Sequence, residues 1–413
     1  MISIPKSDPG SAIPGLENFT MIRTFLILWL MLGCAIVHAA DEPTPAEALA
    51  KAQEYLWSQQ REDGSWRSKQ YAVMRSGQAL TPFVLHTLLE CNDSLNSEQI
   101  KASLRSIKFM LDHLDREGVL GKADPDIVEY PVYSTAYAVL ALERWLDLEQ
   151  RLSRAEWNSI DSMQSFLKRA QFTRYNGFTT EMPAYGGWGF DAPHESGKPG
   201  HMDLAHTRRA MMATSLSRRF LLMSDSSIGG QAQRFLAVVQ KRPETLTIQP
   251  VPEGVERPAT IPFDGGFYFS PVVLQANKGR LEKDGNYWQS YATATCDGIL
   301  ALLAAGVPKD DERVTAAVKW LREHTNLDYP QGIPTDYPEP WGDALQYYHF
   351  AVRAEVYAAL DFSDKEKQAL AERVAALQRA DGSFVNTKSP LMKEDEPLLA
   401  TALAVVALSH CSQ

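Results

Sequence analysis

Four charged residues stand where the surrounding chain is apolar: Arg209, Asp297, Arg353 and Glu355 each lie within a run dominated by Ala, Leu, Val, Ile and Met. Burying such groups without partners costs several kcal/mol each, so opposite charges must meet there. Counted from the Thr or Ala that recurs near the start of each run, Arg209, Asp297 and Arg353 all fall two residues on, where other runs carry Phe83, Tyr137 and Leu403. Equivalent places on adjacent runs predict an Arg209–Asp297–Arg353 ladder, either a structural network or the charged floor of a cavity. Glu355 takes a slot held elsewhere by Leu85, Val139, Met211, Ile299 and Val405.

A second set of polar residues gathers at the beginnings of the same runs. Asp203 and His206 are three residues apart, which puts them on one face of a helix and suits acid–base work, although an Asp at a helix start is equally an N-cap. Asp297 and His349 complete the catalytic candidates, with a packed histidine as the other reading of His349. Glu129, Tyr133, Tyr291, Asp343 and Tyr348 lie near run starts and are ligand-binding candidates, together with Arg209, Arg353 and Glu355 deeper in.

The elements that must position these residues form a degenerate repeat. Thr81, Thr135, Thr207, Thr295, Ala351 and Thr401 open six similar runs at spacings of 54, 72, 88, 56 and 50 residues. Three residues later stand Val84, Ala138, Ala210, Gly298, Ala354 and Ala404, mostly small residues that let helix backbones approach closely. The runs predict six helices apolar on most sides: 79–91, 132–146, 203–223, 289–306, 344–360 and 398–411. Six amphipathic stretches alternate with them, at 44–60, 97–115, 154–171, 228–241, 310–324 and 363–378. In the last, Leu370, Val374 and Leu377 form a single stripe at i, i+4 and i+7. A helix apolar all round is an inner helix and a striped one an outer helix. The fold class is therefore all-α, an (α/α)6 toroid of six inner and six outer helices in a single domain over 41–413. No stretch alternates with period two for long enough to propose a sheet.

Link lengths orient the ring. Inner-to-outer links are short and outer-to-inner links long, roughly 172–202, 242–288 and 325–343, so strict alternation gathers the long links at one end. Long irregular links usually carry function. That end also exposes the N-termini of the inner helices, whose free N–H groups favour anions. The mouth of a cavity is expected there, with Tyr329, Tyr337 and Trp341 around it.

A shorter pattern recurs in the same links. Gln60-Arg-Glu-Asp-Gly-Ser-Trp66 returns as Gln378-Arg-Ala-Asp-Gly-Ser-Phe384, with looser copies at 186–191 and 264–267. An Asp-Gly pair turns the chain, the Gln amide bonds helix-end groups and the ring covers the junction. These residues are expected to fasten helix pairs rather than to react. The Gln-x-x-x-Gly-x-Trp pattern and the Thr135-Ala-Tyr-Ala-Val-Leu-Ala-Leu142 helix resemble the squalene cyclase and protein prenyltransferase repeat superfamily. The similarity runs from about Ala46 to the end and is greatest to exported bacterial prenyltransferase/squalene-oxidase-repeat proteins. The resemblance implies a terpenoid cyclase-like toroid that binds isoprenoid chains in a central cavity. If the protein is an enzyme, the resemblance implies a divergent cyclase-like isomerase or transferase.

Departures from those families matter as much. The Asp-x-Asp-Asp acid of triterpene cyclases is absent: Lys309-Asp310-Asp311 opens an outer helix and Asp124-Pro125-Asp126 is incomplete. Where prenyltransferases place the Asp-x-Cys zinc ligands this chain reads Gln289-Ser290-Tyr291, although His349 resembles the third ligand. Neither a metal nor a cofactor is expected.

Arg23, the apolar stretch Thr24–Val37 and Ala39 make a signal peptide with cleavage after Ala39 or Ala40, Met21 being the expected start. A periplasmic or secreted protein follows, with any membrane association peripheral; Cys34 offers only a loose lipoprotein box. Three cysteines remain, and Cys91 and Cys411, at the ends of the first and last runs, become neighbours if the ring closes. They are expected either to form a disulfide or to remain buried thiols. The 413-residue chain is 45% hydrophobic and carries a formal charge of -10, which argues against nucleic acid as a partner. The expected partner is an apolar, isoprenoid-like small molecule. The alternatives are a polysaccharide lyase or glycosidase-like toroid, and a non-catalytic scaffold with a filled lumen.

Overall fold

The structure is a computed structural model, and it describes residues 43–148, 150–216, 226–251, 254, 256–282 and 287–412. The signal peptide expected at the N-terminus lies outside the described residues. So does the end of the inner helix predicted to reach residue 223.

Outer helices begin where a polar side chain satisfies their free amides. The helices α1 (Pro45–Ser58), α3 (Ser97–Asp112), α5 (Arg154–Ala170) and α11 (Asp364–Ala375) open on capping boxes led by Thr44, Asn96, Ser153 and Ser363. Asp311 caps α9 (Glu312–Glu323), and α7 (Ser226–Val239) completes the outer set. The inner helices are α2 (Leu80–Glu90), α4 (Pro131–Asp147), α6 (Leu204–Leu216), α8 (Ala292–Ala304), α10 (Gln346–Ala359) and α12 (Pro397–Cys411). Each inner helix packs against the next, and α12 packs against α2, so the inner ring closes. The fold is an (α/α)6 toroid.

Two recurring hydrogen bonds tie this ring together. The threonine hydroxyl near the start of an inner helix accepts the backbone N–H of the residue that ends the preceding turn: Trp66 to Thr81, Leu120 to Thr135, Trp188 to Thr207, Phe267 to Thr295 and Phe384 to Thr401, all at 2.9–3.1 Å. Each bond satisfies a buried amide that no helix supplies. The glutamine at the end of an outer helix donates to a carbonyl of the next outer helix: Gln60 to Ala102, Gln171 to Ile228, Gln240 to Arg313 and, across the closure, Gln378 to Ala48. Between them the turn aromatics cover the joints. Trp66 and Trp188 donate their indole N–H groups to Leu56 and Leu167. A Cβ on Gly298 would stand 2.4 Å from the Phe267 ring, which is why that inner position is glycine.

The long links all run from outer to inner helices and lie over the N-terminal ends of the inner ring. One contains the structure's only described sheet, a two-residue antiparallel ribbon pairing Leu281–Glu282 with Tyr287–Trp288, too short to leave an alternating signal. Cys91, Cys296 and Cys411 are thiols, and the pairing of Cys91 with Cys411 is not formed. Burial pushes each thiol up to about 12. Among the described residues no helix is long and apolar enough to cross a membrane.

Candidate functional site

Because the inner helices point the same way round the ring, their N-terminal and C-terminal halves wall different parts of the lumen. The N-terminal halves enclose a cavity of about 260 Å³. Its wall is built from rings: Phe83 on α2, Tyr130, Tyr133 and Tyr137 at and within α4, Phe269 from a long link, Tyr291 before α8 and Tyr348 on α10. The C-terminal halves border a second cavity of about 470 Å³ with polar and charged walls, including His86, Glu90, Arg144, Arg209 and Glu355. Phe83 and Tyr137 border both, their ring centroids 4.9 Å apart, and so belong to the partition between them.

The remainder of the partition is a buried charge network. Arg208 donates to Asp297 at 2.9 Å and also contacts Glu355, while Arg209 donates to Glu355 at 3.2 Å and lies 5.0 Å from the Tyr137 ring centroid. The Tyr348 hydroxyl, from the wall of the upper cavity, donates to Asp297 at 2.8 Å. Two guanidinium groups thus meet two carboxylates. Burial raises the Asp297 carboxyl above its ordinary range, with Arg208 opposing. Burial also works against ionisation of Glu355, but the pull of Arg208 and Arg209 prevails and holds its carboxyl well below the usual value.

The predicted ladder is corrected here. Arg208 takes the place foreseen for Arg209, and Arg353 takes no part: its guanidinium donates to the His324 carbonyl at 2.7 Å and to the Tyr357 hydroxyl at 3.1 Å, tying α10 to the end of α9. On the five threonine-bearing helices the residues two before and five after the reference line the cavities; on α10 Tyr348 and Glu355 do so, which places its reference at Phe350 rather than Ala351 and leaves Arg353 off the lumen face. Only the tandem Arg208-Arg209 signals in sequence that either could serve.

Of the rim candidates, Tyr133, Tyr291 and Tyr348 line the upper cavity, and burial raises all three hydroxyls well above their usual value. Glu129 does not; it accepts the amides of Ser76 and Ala79 at the start of α2. Asp343 also stays outside the wall, 3.6 Å from Lys388 and partly exposed. His349 turns toward the outer link, within 3.1 Å of the Asn326 carbonyl, and burial depresses it to about 3. Asp203 is both cap and partner: it accepts the His206 amide at 2.9 Å and pairs with His206 Nδ1 at 2.8 Å, with His201 at 3.3 Å. Burial alone would raise its carboxyl, but the two histidines and the amide hold it well below normal. The His206 ring stands edge-on to Tyr133 at 4.3 Å, behind the cavity wall rather than in it.

Three charged wall residues escape a reading of helices because they sit in links: Lys278, Lys393 and Glu394. Glu394 is buried, accepting the amides of Tyr347 at 2.8 Å and Tyr348 at 2.9 Å, and so caps α10. Burial raises its carboxyl to about 7 against those bonds. Tyr130 and Lys393 have left-handed backbones, φ 47° and 62°, two of the three such non-glycine residues described. Each costs on the order of 1–3 kcal/mol, a strain that gathers at functional sites.

No protein-family model matches the sequence, and no curated protein matches it either. Solved structures do match. A type II terpene cyclase, MstE from Scytonema, in complex with geranylgeranyl dihydroxybenzoate is 12% identical, with 89% of this chain and 97% of that chain covered at a TM-score of 0.53. A protein from Actinoplanes is 14% identical, covering 89% of this chain and all of that one at 0.51. An alpha-1,6-mannanase, GH76A of Salegentibacter, in complex with alpha-1,6-mannotriose is 11% identical at 0.50, covering 89% and 98%. Likeness at this identity shows the fold alone. Terpene cyclase and mannanase share the toroid, so the function has to be argued from the cavity.

Proposed function

We propose that the protein is an exported toroid that binds an apolar, isoprenoid-like small molecule in the cavity at the N-terminal ends of its inner helices. The observation that carries this reading is the composition of that wall: seven aromatic rings from three inner helices and the adjoining links converge on one concave space. An aromatic-lined concavity with few polar groups suits an apolar ligand. The terpene cyclase neighbour, held with a geranylgeranyl compound, agrees with it. The sequence resemblance to exported prenyltransferase/squalene-oxidase-repeat proteins points the same way.

The glycosidase reading is less well supported. Sugar hydrolysis uses two carboxyl groups flanking the scissile bond, about 5–10 Å apart. Among the described residues the upper wall carries one, Glu394, whose oxygens cap α10; the lower cavity carries Glu90, Glu143, Asp147 and Glu355, the last held by Arg208 and Arg209, so a sugar site would belong to that cavity and not to the aromatic one. Acid-initiated cyclisation needs a carboxylic acid aimed at the ligand; Asp297 is held instead by Arg208 and Tyr348, so binding is favoured over turnover.

Native mass spectrometry with lipid extraction of the exported protein is expected to recover an apolar ligand. N-terminal sequencing is expected to begin at Ala40 or Asp41. Recovery of no apolar ligand, together with binding to an oligosaccharide panel, would reject the reading.

A further inference from the structure

Among the described residues, two ammonium groups of the apolar wall stand without a carboxylate in ion-pair contact, Glu339 acting on Lys278 only from a distance. The charged members of that wall are Lys278, Lys393 and Glu394. The Glu394 carboxylate already accepts three hydrogen bonds, two from the start of α10 and one from Asn386 at 3.1 Å. Among the described residues neither lysine has a carboxylate within ion-pair distance. Lys278 stands instead over the Trp341 ring, 3.3 Å from its centroid, and Lys393 lies 6.0 Å from the Tyr71 centroid. A partly buried ammonium without a counter-charge is costly, and a cation–π contact offsets only part of that cost. The unfavourable placement extends to the backbone, since Lys393 reaches the wall from a left-handed conformation. All this occurs in a chain whose net charge is -10.

We infer that the ligand is an amphiphile, an apolar chain ending in a single carboxylate, with the chain among the aromatic rings and the carboxylate drawn to the lysines of the wall, Lys278 above all. This rests on the proposed apolar cavity. The N-terminal ends of the inner helices face the same mouth and favour the same charge. A monoanion fits better than a diphosphate. Several phosphate charges call for arginine forks or a bridging metal. The wall holds no arginine, and among the described residues no cluster of His, Cys, Asp or Glu could hold a metal. The volume of about 260 Å³ lies just below the roughly 300–1,000 Å³ of ligand pockets, so the buried chain is short.

The test compares three ten-carbon probes on the full exported protein at pH 7 by calorimetry: geranic acid, geraniol and geranyl diphosphate. Geranate is expected to bind at least tenfold tighter than geraniol and no more weakly than the diphosphate. Lys278→Met keeps the apolar stem and removes the charge. It is expected to bring geranate affinity down to that of geraniol, with an unchanged thermal midpoint showing that the fold survives. Equal binding of acid and alcohol to the unaltered protein, or a Lys278→Met variant that still prefers the acid, overturns the head-group inference while leaving the apolar cavity standing. Tighter binding of the diphosphate overturns the choice of a monoanion. If no probe binds, the cavity reading falls and this inference with it.

Discussion

Replacing Asp297 by Leu unbalances the partition that divides the lumen, and the size of the effect follows from its partners. Asp297 is fully buried and accepts from Arg208 and Tyr348. Without it, Arg208 and Arg209 share Glu355 alone, two buried cations against one anion. Breaking a buried pair in this way costs about 3–5 kcal/mol. For a unit of about 370 residues, an unfolding entropy of about 2.1 cal/mol/K per residue makes that a fall of about 4–6 °C in the thermal midpoint. Arg208→Met is expected to cost a similar amount. The double variant leaves Arg209 paired with Glu355 at 3.2 Å, so its cost is expected to be at least about 2 kcal/mol less than the sum of the singles. Thermal and urea unfolding followed by circular dichroism measure all four corners of the cycle. Additivity within about 0.5 kcal/mol would refute the network as drawn. A single variant as stable as the parent but unable to bind ligand would make Asp297 functional rather than structural.

Thr295→Val removes the acceptor of the buried Phe267 amide while keeping the side-chain volume; a loss of about 1–3 kcal/mol is expected, largely restored in Thr295→Ser. His349 gives a pH signature, with its ordinary value of 6.5 lowered to about 3 by burial. The unfolded chain takes up this proton below pH 6.5 and the folded one does not, so the stability due to neutral His349 is complete above 6.5 and is lost as pH falls toward 3, by about 1.4 kcal/mol per unit. Glu394, raised to about 7, works in the opposite sense over part of that range, so the difference between parent and His349→Gln is the quantity to measure. Identical slopes in chemical denaturation between pH 6.5 and 5 would contradict a buried neutral His349.

The ring was legible because its signal is carried by types of residue rather than by their partners. Apolar helices alternating with striped ones, small residues at one phase and Asp-Gly turns at helix ends each reflect one local requirement, and together they admit few architectures. The bond between the recurring threonine and the turn residue was not legible, though both repeats were visible. It joins two patterns read separately, and only coordinates place the Thr295 hydroxyl on the Phe267 amide. Glu129 and Asp343 misled for a related reason: a polar residue near a helix start can face the lumen or satisfy a neighbour's backbone, and spacing along its own helix does not distinguish these. Glu129 serves α2 although it precedes α4 in sequence.

The site itself was half legible, and the missing half lay in the links. Tyr133, Tyr291 and Tyr348 were legible because they stand near the starts of inner runs, at the end of the ring where the long links gather. Lys278, Lys393 and Glu394 sit where no period exists, so their types alone read as solvated charges. Their context reverses that reading. Glu394 is drawn inward by the unsatisfied amides of α10, and Lys393, the residue before it, is carried to the wall by the same turn. The capping requirement of one helix therefore fixes the position of a lysine at the mouth. Glu394→Ala is expected to weaken geranate binding in calorimetry by releasing the turn that presents Lys393, even though it removes a carboxyl from the wall; tighter binding would refute that coupling.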